Sequence, residues 1–465
     1  MPSRTHSAPR IAVLADSDTR WKWGALTARR LGPDARLDGY LLRGRATPTV
    51  RQLGEVGARA DALREIRGVD FLDLMARGAK DGDRPGCDVL VLACVGGAVQ
   101  AMLHGLAHAW RTVDPAGARR PVVVTGYVGV VYEKLADGLL LRHGADVVLA
   151  NSRQDAERFR AVYRGVGAPD GSVVECALPF LGGAPYEEPA AAERERRPRT
   201  VVFAAQPSVP EDREGRTYLL RRAVEHARRH PDREVLVKLR SKPGEHTTHI
   251  EELPYQKLAA RIPGGLPANC RLVYGNMGEV LDRTDLMVTV SSTAALESLH
   301  RGIPTAVLTD LGIREALGNH HFLGSGCLAS WDQLDAGHRP EPDPEWLARQ
   351  GVVRSVGAPP GRSPGDYEHA FDAARDRVAE LAAADRLPPL TPYYTARTAP
   401  GYLPGILARH GLDPHGAPLA GYRDAPQETG GLRQFARTTV REAARGAYRH
   451  GVQRVAPAIR RWGQL

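Results

Sequence analysis

Residues 286–310 combine hydroxyl groups, backbone amides and one carboxylate in a pattern that suits a phosphate and a ribose. A predicted strand ends in a polar turn that consists of Ser291, Ser292 and Thr293. A helix is predicted to begin at Ala294, and its unpaired N–H groups and dipole favour an anion beside this turn. Glu297, one turn into the helix, is placed to accept hydrogen bonds from ribose hydroxyls. The alternative is that the turn only caps the helix and that Glu297 is a solvated or capping carboxylate.

A second group of candidate side chains is cationic. The predicted strand over residues 234–239 carries Lys238, and Arg240, Lys242 and His246 follow it. Cations clustered at the carboxyl end of a strand suit a diphosphate or a phosphodiester, because guanidinium and ammonium groups make strong charge-assisted hydrogen bonds with phosphate oxygens. The alternative is a solvated basic loop.

An acidic turn follows the first predicted strand, which covers residues 11–15. Asp16 and Asp18 are candidates for a general base, since a transfer to a hydroxyl group needs a carboxylate or a histidine to take the proton. Trp21 and, beside it, Trp23 could form a platform for a sugar ring. The alternative is that the turn caps a helix and that both tryptophans pack underneath it.

A glycine-rich turn is predicted after the strand at residues 122–124. Gly126 and Tyr127 stand in this turn, where a glycine could let the backbone approach a ligand. Asp137 and Glu133 are alternative candidates for the base, and Arg142 could line the same cleft. A tight strand-to-helix turn without a ligand explains the pattern equally well.

These candidates need elements that bring them together, and the sequence predicts two α/β halves. Short apolar runs alternate with helical segments, as is typical of βαβ units with parallel strands that are covered on both faces. Residues 182–199 interrupt the alternation with glycine, proline and charged residues, which indicates a linker. We therefore predict two Rossmann-like domains with mainly parallel sheets facing a central cleft, at residues 1–190 and 191–390, followed by an irregular segment and a basic helical tail at residues 391–465.

Composition limits the class of protein. The chain has 465 residues, a net charge of +9 and a pI of about 9.4, which favours anionic partners. Its five cysteines form no zinc or disulfide pattern, its first ten residues are polar, and no apolar run is long enough to span a bilayer. A cytoplasmic protein is therefore expected. The first strand is not followed by GxGxxG, and no Walker motif or GxSxG elbow occurs, so neither a cofactor nor a metal is expected.

The segment after residue 431 is rich in arginine at a spacing of four residues. Such spacing places the arginines in a stripe on one side of a helix, and apolar residues lie between them. The helix could rest on an anionic bilayer surface, at the inner face of the cell membrane. The alternatives are a solvated tail or a helix that packs on the core, and no nucleic-acid partner is expected.

The stretch SSTAALESLHRGIPTAVL, residues 291–308, resembles the donor-binding segment of the GT-B superfamily of glycosyltransferases. The nearest likeness is to an actinobacterial group of glycosyltransferase-like proteins. The resemblance implies a metal-independent enzyme in which Ser291, Ser292 and Thr293 bind the donor phosphate and Glu297 holds the ribose.

A more distant likeness is to bacterial polysialyltransferases and CDP-glycerol glycerophosphotransferases. These enzymes carry a His-Pro pair where this sequence has Lys242-Pro243. The difference implies either that a cation replaces the general acid or that His246 takes the role from a shifted position. The likeness makes a CMP- or CDP-linked donor plausible, and UDP- and GDP-linked sugars stay open.

The leading hypothesis is a glycosyltransferase that moves a sugar from a nucleotide-activated donor to a cell-surface, wall or lipid-linked glycan. Two alternatives remain at this point. One is a UDP-sugar 2-epimerase, which would share the donor segment but need no acceptor groove. The other is a non-catalytic protein that binds nucleotides or polyanions on the same scaffold.

Overall fold

The continuous apolar runs of the sequence form the strands of two parallel sheets. The computed structural model describes residues 9–44, 46–80, 86–113, 120–129, 134–190, 196–242, 245, 253–352 and 366–420. His246, Glu133 and the basic tail predicted after residue 431 lie outside the described residues. The sheets belong to two lobes of one compact unit that ends at Pro418.

The first lobe is built around a seven-stranded sheet with the order β3-β2-β1-β4-β5-β6-β7, in which all neighbouring strands are parallel. Strands β1 to β7 are Arg10–Ala15, Arg36–Leu42, Ala62–Ile66, Val89–Ala93, Val122–Gly126, Val147–Ala150 and Val173–Glu175. The helices α1 to α6 between them are Asp18–Leu31, Val50–Val56, Gly68–Lys80, Gly96–Val113, Leu135–Leu140 and Arg153–Gly165.

The second lobe contains a six-stranded parallel sheet with the order β10-β9-β8-β11-β12-β13. Strands β8 to β13 are Arg199–Ala204, Arg233–Lys238, Cys270–Val273, Leu286–Thr289, Thr305–Leu308 and Leu328–Ala329. The α-helices α7 to α12 are Arg213–Arg229, Tyr255–Ala259, Met277–Leu281, Ala294–Arg301, Trp331–Asp335 and Pro344–Arg349. Two short 3₁₀ helices, Glu315–Leu317 and Asn319–Phe322, follow β12.

Both sheets reverse their strand order beside their first strand, between β1 and β4 and between β8 and β11. Ligands of open α/β sheets bind outside the carboxyl ends of the strands at such switch points. The topology therefore directs the start of α1 in the first lobe and the turn before α10 in the second toward ligand-binding positions.

Helix α1 packs directly on the first sheet. Ser17 caps the helix by accepting a hydrogen bond from the Arg20 amide. A Cβ atom added at Gly24 would lie 2.7 Å from Ala93 Cβ and from Val13 Cγ1. This close approach needs glycine, and it sets the distance between α1 and the sheet.

One hydrophobic cluster joins the two lobes. It contains inward-facing residues of β1 and β4 together with Leu296 and Leu299 of the second-lobe helix α10. After the second sheet, the chain forms α13, α14 and α15, which are Asp366–His369, Asp372–Ala383 and Leu403–Ala408. Helix α14 contacts β5, β6, β7 and α1 and adds Phe371, which precedes it, and Val378 to the same cluster. Burial of each such side chain contributes about 1.5–3 kcal/mol, so the cluster resists separation of the lobes.

The five cysteines belong to the interior of the protein, and all of them are free and buried. Among the described residues, no helix has both the length and the hydropathy that a bilayer crossing requires.

Candidate active site

A cavity of about 430 Å³ lies between the lobes at the carboxyl ends of both sheets. From the second lobe, its wall includes the residues after β8, β9 and β11 and the 3₁₀ turn that begins at Glu315. From the first lobe, it includes the first turn of α1, the end of α2 and Gly129. Of the predicted residues, seven line this cavity: Asp18, Lys238, Arg240, Ser291, Ser292, Thr293 and Glu297.

The three polar residues before α10 have different local roles. The Ser291 hydroxyl donates to the Leu317 carbonyl oxygen at 2.6 Å, and the Ser291 amide donates to Gln206 Oε1 at 2.9 Å. Ser291 therefore holds the turn in place, and its amide and hydroxyl protons already have partners within the second lobe. The Ser292 hydroxyl accepts a hydrogen bond from the Ala294 amide at 3.2 Å.

Thr293 stands at the N-cap of α10 and makes no side-chain capping bond. A Cβ atom added at Gly129 of the first lobe would lie 3.1 Å from Thr293 Oγ1. Asn151 fixes this part of the first lobe, because its side-chain amide donates to the Tyr127 and Gly129 carbonyl oxygens at 2.7 and 3.1 Å. The first lobe thus approaches the turn closely, and a small residue at position 129 leaves room there.

Glu297 faces the first lobe across the cavity. Its carboxylate lies 3.2 Å from the Lys22 ammonium, and both side chains are largely buried, with 10% and 21% exposure. Lys22 also lies 4.5 Å from the centre of the Phe180 ring. Lys22 was not predicted from the sequence, although it follows Asp18 by four residues and so shares its face of α1.

Arg240 and Asp18 form a second ion pair across the cavity. Their nearest N–O distance is 2.5 Å, and Arg240 also donates to the Thr19 hydroxyl. Burial by itself would raise the pKa of Asp18, but the charge and hydrogen bond of Arg240 outweigh it and hold the pKa below its ordinary value. Asp18 is therefore a carboxylate anion at neutral pH.

Lys238 is a buried cation in the cavity wall. Its ammonium donates to the Leu239 carbonyl oxygen at 2.8 Å. Burial lowers its pKa to about 8, opposed by the charge of Glu55 and assisted by the charges of Arg240, Arg51 and Lys22. A buried ammonium surrounded by other cations gains most from an anionic ligand.

Lys242 differs from the other predicted cations. It is exposed and does not belong to the cavity wall, and its ammonium lies 5.8 Å from the centre of the Tyr274 ring. Its backbone amide donates to the Glu245 carboxylate at 2.8 Å. The predicted phosphate contact of Lys242 is therefore not formed by this arrangement.

A third polar contact between the lobes lies at the end of α2. Arg51 pairs with Glu55 on its own helix and with Glu245 of the second lobe. The Asn276 side chain donates to the Glu55 carbonyl oxygen at 2.9 Å. Glu55 and the neighbouring Gln52 line the cavity, and neither was predicted, because no periodicity or motif distinguishes α2 from any amphipathic surface helix.

The tryptophans of α1 belong to the core, which differs from the predicted sugar platform. Trp21 and Trp23 both have no exposed surface, and the Trp21 indole donates to the Ala58 carbonyl oxygen at 3.3 Å. Gly126 serves the same packing, since an added Cβ would lie 2.7 Å from Trp23 and 2.9 Å from the Leu149 carbonyl oxygen. Gly126 therefore admits an indole ring rather than a ligand.

Arg142 and Tyr127 also have structural positions instead of the predicted ones in the cleft. The buried Arg142 guanidinium donates to the carbonyl oxygens of Gly126, Gly138 and Cys94. It lies 4.1 Å from the centre of the Tyr127 ring. The cation satisfies carbonyl groups where strands β4 and β5 end, and neither side chain belongs to the cavity wall.

The two remaining candidate bases lie away from the cavity wall. Asp137 accepts hydrogen bonds from the Tyr394 and Tyr402 hydroxyls at 3.2 and 3.0 Å. Asp16 pairs with Arg20 at 2.9 Å and accepts a hydrogen bond from the Val95 amide at 2.9 Å. Both carboxylates hold segments of the first lobe together.

Within the described residues, one group outside the cavity presents possible metal ligands. The ligand atoms of His226, His230 and Asp335 lie within 4.8 Å of one another. The Asp335 carboxylate already contacts Arg222, Arg229 and His226 at 3.0, 2.6 and 2.6 Å. These guanidinium groups neutralise the carboxylate and repel a divalent cation, so the group fits a structural ion-pair network.

Two parallel α/β lobes with a cavity at the carboxyl ends of both sheets define the architecture of the GT-B class. Residues 11–360 match the family described as "Putative glycosyltransferase (DUF6716)". The chain belongs to this family and is a glycosyltransferase of the GT-B type. No curated protein sequence matches the chain.

Several solved structures are similar to the chain. A "putative UDP-N-acetylglucosamine 2-epimerase" from Listeria monocytogenes is 12% identical, with a TM-score of 0.49, over 80% of this chain and 98% of that one. The UDP-GlcNAc 2-epimerase from Neisseria meningitidis, bound to UDP-GlcNAc, is 10% identical, with a TM-score of 0.45, over 80% and 100%. The glycosyltransferase SnogD from Streptomyces nogalater is 16% identical, with a TM-score of 0.34, over 80% and 96%.

Proposed function

We propose that the chain transfers a sugar from a nucleotide-activated donor and that the donor binds in the cavity between the lobes. The observation that carries this proposal is the convergence of the start of α10 with three cations, Lys22, Lys238 and Arg240, on one cavity. A helix N-terminus and cationic side chains together form a favourable environment for phosphate.

The charged residues of the cavity and the first turn of α10 have separate chemical tasks in this proposal. The first turn of α10 and the cations Lys238 and Arg240 bind the donor phosphate and stabilise the negative charge that develops as it leaves. Glu297 accepts hydrogen bonds from the ribose. Asp18 reaches the cavity from the first lobe and takes the proton of the acceptor hydroxyl. The four predicted bases are Asp16, Asp18, Glu133 and Asp137. Among those that the structure describes, Asp18 is the one that lines the cavity.

The finer identity of the substrates is also a proposal. The likeness of residues 291–308 to donor segments of polysialyl- and glycerophosphotransferases supports a CMP- or CDP-linked donor. We propose a cell-surface or wall glycan as acceptor, bound beside the first lobe and presented at the inner face of the membrane.

A binding screen tests the donor site. We expect one of CMP, CDP, UDP and GDP to raise the melting temperature of the protein, since a ligand that prefers the folded chain stabilises it by mass action. K238A should weaken the binding of that nucleotide about tenfold or more, because the substitution removes a charge-assisted hydrogen bond. K242A is the matched control, since Lys242 is a neighbouring cation outside the cavity, and it should leave the affinity unchanged. Equal losses in both variants would contradict the proposed site.

A turnover assay separates the possible reactions. The protein is incubated with CMP-, CDP-, UDP- and GDP-linked sugars, with and without a glycan acceptor, and the nucleotide and sugar products are identified. Nucleotide release that depends on acceptor and is lost in E297A supports transfer. If epimerised donor forms without acceptor, the proposed transferase activity is wrong and the protein is an epimerase. Binding of a nucleotide without turnover of any donor would indicate a non-catalytic protein.

A further inference from the structure

Arg240 donates to the first lobe through Nε and Nη2. Its guanidinium contacts Asp18 at 2.5 and 3.4 Å and also donates to the Thr19 hydroxyl. These two residues begin α1, whereas Arg240 follows β9 of the other lobe. The same guanidinium lines the cavity in which we place the donor phosphate. A phosphate that accepts from these two nitrogens must therefore displace Asp18.

We propose that Arg240 exchanges Asp18 for the donor phosphate, so that donor binding releases the base that the acceptor needs. This inference rests on the proposed function and assigns an order to it, with the donor before the acceptor. Arg240 becomes a switch between two anions, one supplied by the first lobe and one by the substrate.

In the exchange, Arg240 keeps an anionic partner while Asp18 gives up its cation. Arg240 and Asp18 are partly buried, with 27% and 13% exposure of their side chains, so leaving either charge without a partner is costly. A phosphate offers the planar guanidinium two oxygens in bidentate geometry, whereas Asp18 offers one close and one distant oxygen. The substrate can thus replace the carboxylate without leaving Arg240 unpaired.

Release also changes the chemistry of Asp18. Arg240 is what holds the pKa of Asp18 low, against a burial effect that raises it. Once the guanidinium turns to phosphate, burial dominates and the carboxylate becomes a stronger base. In the transfer step, the acceptor oxygen bonds to the anomeric carbon and its proton passes to Asp18. The bond from that carbon to the donor phosphate oxygen breaks, and the electron pair leaves with the nucleotide.

Two carboxylates provide matched controls for this exchange. Glu315 lines the cavity but forms no ion pair with another described residue, so E315Q removes a negative charge from the wall without freeing a cation. Glu245 pairs with Arg51 across the lobes but does not belong to the cavity wall, so E245Q weakens lobe contact without freeing a phosphate ligand.

Titration calorimetry with inorganic pyrophosphate tests the competition. D18N should bind pyrophosphate about fivefold more tightly than the wild type, because a larger fraction of Arg240 is then available. E315Q and E245Q should change the affinity less than twofold. Unchanged or weaker binding by D18N, or equal strengthening by E315Q, would overturn the exchange while leaving the donor site intact. If neither pyrophosphate nor any of the nucleotides binds to the wild type or to any variant, both the donor site and the exchange are wrong.

Steady-state kinetics give a second readout with the donor that the turnover assay identifies. In D18N, the KM for the donor should fall while kcat falls about 100-fold or more, as expected when a general base is removed. A residue that only binds donor would raise KM instead. A donor KM that rises in folded D18N, with a wild-type melting temperature, would overturn the proposal.

Discussion

At the scale of single residues, the cavity is organised by pairs of opposite charge from different lobes. Lys22 meets Glu297, and Asp18 meets Arg240. Lys238 differs, because its ammonium donates to a backbone carbonyl oxygen and its pKa is lowered to about 8 by burial. Its charge therefore varies close to neutral pH.

The titration of Lys238 predicts a pH dependence of anion binding. The wild type should lose affinity for pyrophosphate relative to K238R between pH 7 and pH 9, by about fivefold to tenfold, because arginine keeps its charge. The ratio of the two dissociation constants is measured by calorimetry, so that protonation of pyrophosphate cancels. A ratio that stays constant over this range would contradict the role of the ammonium.

The titration of Lys238 also determines the direction in which the free energy of unfolding changes with pH. Lys238 gives up its proton at lower pH in the folded chain than in the unfolded one, where its ordinary value is 10.5. Between these pH values the unfolded chain binds more protons, so the free energy of unfolding rises with pH through this contribution. The protein thus maintains an unfavourable buried charge at neutral pH, which a phosphate would offset.

At the scale of elements, α1 connects the core to the cavity. Its tryptophans, Trp21 and Trp23, are fully buried, and its first turn carries Asp18, which lines the cavity. The distance between this helix and the sheet is set by Gly24, where an added Cβ would meet both Val13 and Ala93. Interior packing therefore determines where the carboxylate of Asp18 stands.

A pair of glycine substitutions tests this packing. G24A should lower the free energy of unfolding by about 1–3 kcal/mol, because the added methyl group overpacks the helix against the sheet. G54A on α2 is the control, since its added Cβ meets nothing within 4 Å. It should raise the free energy of unfolding by about 0.5–1 kcal/mol through helix propensity. Urea denaturation measures both, and equal effects would refute the close contact.

At the scale of the whole molecule, a shared core holds the two lobes around the cavity. Leu296 and Leu299 enter the cluster from the second lobe, and Phe371 enters it from the segment that returns to the first lobe. Phe371 is 1% exposed and packs against Tyr367, with ring centres 5.6 Å apart. The lobes are therefore expected to unfold together.

Differential scanning calorimetry tests this coupling. The wild type should show one cooperative transition, and F371A should destabilise it by about 3–5 kcal/mol, as is typical for loss of a buried aromatic ring. L323A, at a leucine that is 56% exposed, should change stability by less than about 0.5 kcal/mol. Two separate transitions in the wild type, or an effect of F371A on only one of them, would show that the lobes unfold independently.

Local sequence patterns are enough to predict the main strands and helices and the polar turn before α10. Apolar runs such as residues 89–93 predict parallel strands because both faces of such a strand are buried. The strand, polar turn and helix over residues 286–301 could be predicted because each element has a local signal. These features depend on neighbours along the chain, so no knowledge of the contacts between the lobes was needed to find them.

The packing of the two lobes selects which polar residues face the cavity. Asp18 and Trp21 stand three residues apart and share a face of α1, yet Asp18 lines the cavity and Trp21 is fully buried. Arg142 has the residue type of a phosphate ligand but satisfies backbone carbonyl groups instead. The contacts of Lys22 with Glu297 and of Asp18 with Arg240 join positions more than 200 residues apart. Such partners follow from the packing of two lobes, which local sequence patterns do not record.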